Sequence, residues 1–248
     1  MNVAIIAAGG AGTRAGGGRA KQFREISGTP IIIHTLRRFE RCARIERVVV
    51  VAPAGALEEA RILAAEHGLR KVARVVAGGG SRLESVWEGL RVAGEWRPAG
   101  VVAVHDAVRP FVTPDEIDRV VAEAERSGAA ILAAPAVDTI KEAAAPRAGE
   151  ALRVARTHDR ARLWHAQTPQ CFRLALLVEA YERALAARIE ATDDSALVER
   201  LGASVSIVEG GAHNIKITTP QDFALAEILL RGRQETELRS RNKKGVGD

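Results

Sequence analysis

The sequence predicts an α/β fold, a doubly wound and mostly parallel sheet covered by helices on both faces. Three observations carry that prediction. Short β-branched runs are apolar at every position, helical patterns alternate with them, and a glycine-rich segment follows the first run directly. Strands apolar on both sides belong to a sheet buried on both sides, and parallel strands need crossover connections.

In chain order, Asn2–Ala8, Arg47–Ala52, Ala73–Ala77, Gly100–Val104 and Ala129–Ala134 read as the strands. Leu83, Val86, Trp87 and Leu90 share one face of a helix, as do Ile117, Val120, Val121 and Ala124. Ser81-x-x-Glu84 and Thr113-Pro114-x-Glu116 are capping boxes that satisfy the first free amides of those two helices. Thr219-Pro220 opens the last helix in the same way. Val137–Glu142 and Ala151–Arg156 break the rhythm as two short strands around Pro146 and Gly149. They predict a hairpin arm over residues 136–160. Residues 231–248 lack apolar periodicity and are expected to form a basic flexible tail, leaving residues 1–230 as a single domain.

At 248 residues, 47% hydrophobic and 27% charged, the chain has enough apolar material for a large core, which excludes a disordered protein. No apolar run approaches the roughly 18 residues of a membrane span. Cys42 and Cys171 fit no metal or disulfide framework and the start lacks a basic signal region, so a cytoplasmic protein is expected. The net charge of +5 raises the question of an anionic partner. Residues 231–248 carry +3 of it, so neither nucleic acid nor a membrane is expected as that partner. Of 36 basic residues only six are lysines, and a surviving Lys marks a place where a compact ammonium is not exchangeable for a planar guanidinium.

Ala7-Ala8-Gly9-Gly10-Ala11-Gly12-Thr13-Arg14 follows the first strand. Glycines there let backbone amides surround a phosphate, and ligands of open α/β sheets bind outside the carboxyl ends of the strands. Gly10-x-Gly12-x-x-Ala15 formally matches a dinucleotide fingerprint, so an NAD(P)-binding oxidoreductase is the alternative from a different class. That fingerprint wants an acidic residue about 20 positions on, whereas the second strand ends in Ala52-Pro53 without a carboxylate. Arg14, Arg19 and Lys21 in the loop suit a triphosphate undergoing reaction better than a spectator pyrophosphate.

The Ala-Ala-Gly-x-x-Gly-x-Arg run followed by Lys21-Gln22-Phe23 resembles the signature of sugar- and alditol-phosphate nucleotidyltransferases. Gly79–Val86, His105–Pro110, Asp138–Lys141, Trp164–Gln170, Thr192–Ser195 and Asn214–Lys216 narrow it. Together, from roughly residue 2 to 230, they resemble the 2-C-methyl-D-erythritol 4-phosphate cytidylyltransferases of the non-mevalonate isoprenoid route. The resemblance implies a Rossmann-like nucleotidyltransferase sheet. Its reaction is attack of a methylerythritol phosphate oxygen on the α-phosphorus of CTP, with release of pyrophosphate. Two anions meet in such a reaction, so converging cations are needed more than a covalent nucleophile.

The same resemblance assigns Arg14, Lys21 and Lys216 to catalysis. It assigns Ala7, Ala8, Gly9, Gly10, Gly12, Thr13, Gly79, Ser85 and Asp106 to CTP, and Asp106 also to Mg²⁺. Arg109, Thr139, Arg160, Thr168 and Thr192 fall to the second substrate. It further implies a homodimer joined through the arm, with Arg160 entering the partner's site. Ser81 reads as a helix cap as readily as a base contact. A ribitol-5-phosphate cytidylyltransferase shares the loop and the chemistry; Trp164–Gln170 and Asp138–Lys141 favour methylerythritol phosphate. The length leaves no room for the cyclodiphosphate synthase domain fused to some relatives, so a single activity is expected.

Overall fold

The computed structural model describes residues 1–9, 20–96, 100–145, 151–189 and 191–244, with side chains in the last helix described as far as Gly232. β1 (Val3–Ala7) leads to a small ribbon, β2 (Glu25–Ile26) and β3 (Thr29–Pro30), then α1 (Ile31–Arg41), β4 (Arg47–Ala52), α2 (Leu57–Glu66) and β5 (Val72–Ala77). Next come α3 (Arg82–Glu95), β6 (Val101–Asp106), α4 (Pro114–Ser127) and β7 (Ala129–Pro135). The arm is β8 (Lys141–Ala143) and β9 (Val154–Thr157). β10 (Trp164–Arg173), α5 (Leu174–Ala186), α6 (Asp194–Glu199), β11 (Ser206–Glu209) and α7 (Pro220–Lys244) complete the chain.

Seven strands form the main sheet in the order β11-β7-β10-β6-β1-β4-β5. β10 is antiparallel to both neighbours, and every other pairing is parallel. The double-faced apolar pattern explains the layers. On β1, Ala4 and Ile6 join Ile32, Leu36, Phe39, Val120 and Val121 in a core under α1 and α4. Val3 and Ile5 face the other way, onto Val86, Leu90, Leu177 and Tyr181 from α3 and α5. A third cluster of Ile26, Ile31, Val108, Phe111, Ile217, Ala226 and Leu230 ties the ribbon and the turn after β6 to α7. Both predicted capping boxes form, Ser81 with Glu84 and Thr113 with Glu116. Thr219 and Asp222 exchange bonds at the head of α7.

Three features depart from the sequence expectations. β10 inserts between β6 and β7, where the parallel alternation had no place for a reversed strand. Its Gln167-Thr168-Pro169 segment carries polar side chains and a register shift, so it lacks both strand periodicities. The arm forms, but its paired strands are shorter and shifted toward Lys141–Ala143 and Val154–Thr157. The expected tail is helical as far as Lys244, because α7 does not stop at residue 230. Arg, Gln, Glu and Leu are good helix formers there even without an apolar face to bury.

Candidate active site

The ladder between β1 and β6 pairs Ala7 with Asp106, so the end of the glycine segment and a carboxylate lie side by side. Ala7 also pairs with Val51 on β4, which levels the carboxyl ends of three strands. The connection leaving β1 runs outward to β4, whereas the one leaving the adjacent β6 runs the other way to β7, so β1 and β6 flank the switch point where open α/β sheets bind ligands. A cavity of about 480 Å³ opens there. Ala7, Ala8, Gly9, Lys21, Gly79, Ser85, Asp106 and Lys216 line it, together with Gln22 and Arg82.

The glycines are needed for close approach. A Cβ on Gly9 would lie 2.8 Å from the Ser85 hydroxyl oxygen, and one on Gly78 would lie 2.6 Å from it. Ser85, buried in the first turn of α3, donates its hydroxyl to the Ser81 carbonyl at 2.8 Å. Ser81 is a true N-cap, accepting from the Glu84 amide at 3.1 Å. Gln22 reaches back to the Ala8 carbonyl and holds the short turn Lys21–Phe23 against the end of β1.

Asp106 is the electrostatic centre. Lys216 lies 2.8 Å from its carboxylate, Arg109 3.5 Å and Arg82 3.8 Å. Burial alone would raise its pKa, but these three cations hold it well below the usual carboxylate range. Three cations against Asp106, with Asp194 behind Arg82, still leave a net positive pocket, suited to a polyanion. Arg82 also makes a bidentate pair with the fully buried Asp194 at 2.9 and 2.7 Å, and Tyr181 donates to the same carboxylate.

A second ring fixes the turn that carries Asp106. His105 is wholly buried, and its Nε2 lies 3.1 Å from the Arg109 carbonyl, which can only accept. Nε2 therefore carries the proton, and Nδ1 accepts from the Thr168 hydroxyl at 3.0 Å. Burial pushes the imidazole down to about 4, so it is neutral near pH 7. The Thr168 oxygen in turn accepts from the Asp106 amide at 3.1 Å. Arg109 donates to the Asn214 carbonyl at 2.8 Å, joining the turn to the segment that carries Lys216.

Eight of the sequence-predicted residues thus line one cavity, and Arg109 and Thr168 adjoin it through Asp106. Thr139 and Arg160 stand apart on the exposed arm, where Arg160 donates to the Val137 carbonyl at 2.7 Å. Thr192 is exposed ahead of α6. Gly10, Gly12, Thr13 and Arg14 lie outside the described residues. Arg82 and Asp194 escaped the sequence reading as a pair. Each sits in a quoted motif, but only the fold brings the start of α3 to the start of α6. Among the described residues no cluster of three or more His, Cys, Asp or Glu gathers at one point. Asp106 is the only carboxylate among the described residues lining the cavity, a donor set that fits Mg²⁺ held mostly by phosphate oxygens and water.

Comparison with known proteins decides the family. The family model for 2-C-methyl-D-erythritol 4-phosphate cytidylyltransferase matches residues 2–232. The chain belongs to this family. A cytidylyltransferase of that name from Bacillus velezensis is 45% identical over 92% of this chain and 95% of its own. The bifunctional enzyme IspD/IspF of an Anaeromyxobacter strain is 48% identical over 92% of this chain, which spans 56% of that longer protein. The crystal structure of the cytidylyltransferase from Thermus thermophilus superposes with a TM-score of 0.72 at 36% identity, covering 93% of this chain and 98% of that one. All of the cavity described above lies within the region matched to the cytidylyltransferase family.

Proposed function

We propose that the cavity holds CTP, with its triphosphate against the glycine loop and the cations Arg14, Lys21 and Lys216. As a nucleotidyltransferase of this family, the chain joins CTP to 2-C-methyl-D-erythritol 4-phosphate and releases pyrophosphate, in isoprenoid precursor synthesis. A phosphate oxygen of the alditol forms the new bond to the α-phosphorus as the bond to the β-phosphate oxygen breaks. Charge grows on the α-phosphate oxygens, and fixed cations aimed there lower the barrier without reorganising. The observation that carries this reading is the convergence of Lys216, Arg109 and Arg82 on Asp106 beside the start of the glycine loop.

Gly79 and Ser85, which line the cavity, are assigned to the base and ribose. Asp106 is the residue that would hold Mg²⁺, whose contribution when bound is to neutralise phosphate charge. Arg109, Thr168, Thr192, Thr139 and Arg160 are assigned to the alditol phosphate, the last two from the arm. The arm is exposed throughout its strands, with Val137, Leu152 and Val154 at 74%, 71% and 63%. A two-stranded hairpin bearing apolar side chains is marginal alone, which supports a homodimer in which a second copy covers it. No helix among the described residues is long and apolar enough to cross a membrane, in keeping with the cytoplasmic location proposed here.

A panel of alditol phosphates offered with CTP tests substrate choice. Cytidylyl transfer to methylerythritol phosphate far above ribitol 5-phosphate is expected, and preference for ribitol 5-phosphate would replace this reading with its nearest rival.

A further inference from the structure

Glu116, in the first turn of α4, is buried and accepts more bonds than its helix requires. Its Oε2 closes the capping box, accepting from the Thr113 amide at 2.8 Å and the Thr113 hydroxyl at 3.0 Å. Such a box needs one oxygen only. The other, Oε1, accepts from the Gly211 amide at 2.9 Å, and His213 Nε2 lies 3.2 Å from Oε2. Both of those donors belong to the loop that follows β11.

That loop runs directly into the site. Gln167 donates to the Gly211 carbonyl at 3.1 Å and accepts from the Asn214 side chain at 3.0 Å. Asn214 also donates to the Thr168 carbonyl at 3.0 Å. The Ile217 amide bonds the Val108 carbonyl at 2.9 Å, and between these fixed points Lys216 projects to Asp106.

We propose that Glu116 is a positioning residue, whose remaining carboxylate capacity anchors Gly211 and His213 and thereby sets the segment 214–218 that presents Lys216 to Asp106. Burial would raise the pKa of Glu116, but hydrogen bonds from the Gly211 and Thr113 amides offset it and keep the carboxylate ionised. The anchor lies outside the cavity, since Glu116 does not line it. The inference rests on the catalytic part proposed for Lys216.

Glu116→Gln separates the two duties of the side chain. Glutamine serves equally well in a capping box, so α4 keeps its start. Its amide nitrogen cannot accept, so a donor now faces the Gly211 amide. His213→Ala removes the second contact without touching α4 and keeps the test usable if the first variant folds poorly. Amide hydrogen exchange, read on the whole chain without ligand, is expected to quicken about tenfold at Gly211, Asn214 and Ile217 in Glu116→Gln, with α4 unchanged. His213→Ala should move the same amides by a smaller factor. In turnover with CTP and methylerythritol phosphate, Glu116→Gln should lower kcat about tenfold, with the KM for CTP within about twofold. Added to Lys216→Ala, it should cost nothing further, since both act through one contact. Unchanged exchange in the loop of both variants would overturn the proposal even if the enzymatic reading failed. So would full multiplication of the Glu116→Gln and Lys216→Ala losses.

Discussion

The Lys216 ammonium rests 2.8 Å from the Asp106 carboxylate, joining the segment ahead of α7 to the end of β6. This pair holds the ammonium in a fixed place within a pocket that stays net positive. In the function proposed above, an arriving triphosphate exchanges with Asp106 for this ammonium.

Lys216→Ala is therefore expected to reduce kcat/KM by about 10²–10³-fold, the usual cost of deleting one stabilising donor. Lys216 is 41% exposed, and Arg109 and Arg82 remain beside the buried Asp106 when it is removed, so the melting temperature should move by no more than about 3 °C. A large fall in melting temperature with modest loss of turnover would assign Lys216 to the scaffold.

Arg82 is held from behind. Asp194 takes two of its nitrogens, leaving Nε turned toward Asp106 at 3.8 Å. Asp194→Asn should destabilise the protein by about 2–3 kcal/mol, toward the low side for breaking a buried pair because Arg82 is a third exposed. Tyr181→Phe removes one bond to the same carboxylate and should cost about 1.5 kcal/mol. Denaturant titration reads both, and equal stability of wild type and Asp194→Asn would remove the pair from the account.

His105 gives the fold a dependence on acid. Its folded pKa is about 4 against about 6.5 when unfolded, so the unfolded chain binds more protons between those values. Stability is fully present above about pH 6.5 and falls as pH drops through that window, by roughly 3 kcal/mol. Melting curves at about pH 7.5 and about pH 4.5 should show the fall, and His105→Gln should show less of it. His34 is also held low by burial and acts alike in both proteins, so it drops out of the comparison. The same pH dependence in wild type and variant would contradict the neutral, buried imidazole.

The exposed arm predicts a mass. Light scattering should give twice the 26.5 kDa of one chain, and Leu152→Asp with Val154→Asp should give single chains that remain folded. A monomeric wild type would remove the arm's assigned role.

Features written in local pattern were legible in the sequence. The apolar strands, both capping boxes and the glycine segment depend on neighbours a few residues away, and so does a carboxylate at the end of β6. What depends on distant pairing was not. β10 hides behind Gln167 and Thr168, whose side chains serve a buried polar network and not an apolar face, and behind the register shift at Pro169. The Arg82–Asp194 pair needs the starts of α3 and α6 brought together, both helices packing on α5, and the engagement of Thr168 with His105 needs β10 beside β6. The helical run to Lys244 was missed because periodicity reports packing, whereas intrinsic propensity alone favours helix there.

The most direct measurement is pyrophosphate release from CTP and Mg²⁺ by the wild-type chain, with and without 2-C-methyl-D-erythritol 4-phosphate. Release that depends on the alditol phosphate, matched mole for mole by cytidylylated product, is the predicted result. No release from folded protein, or equal release without the alditol phosphate, would contradict it.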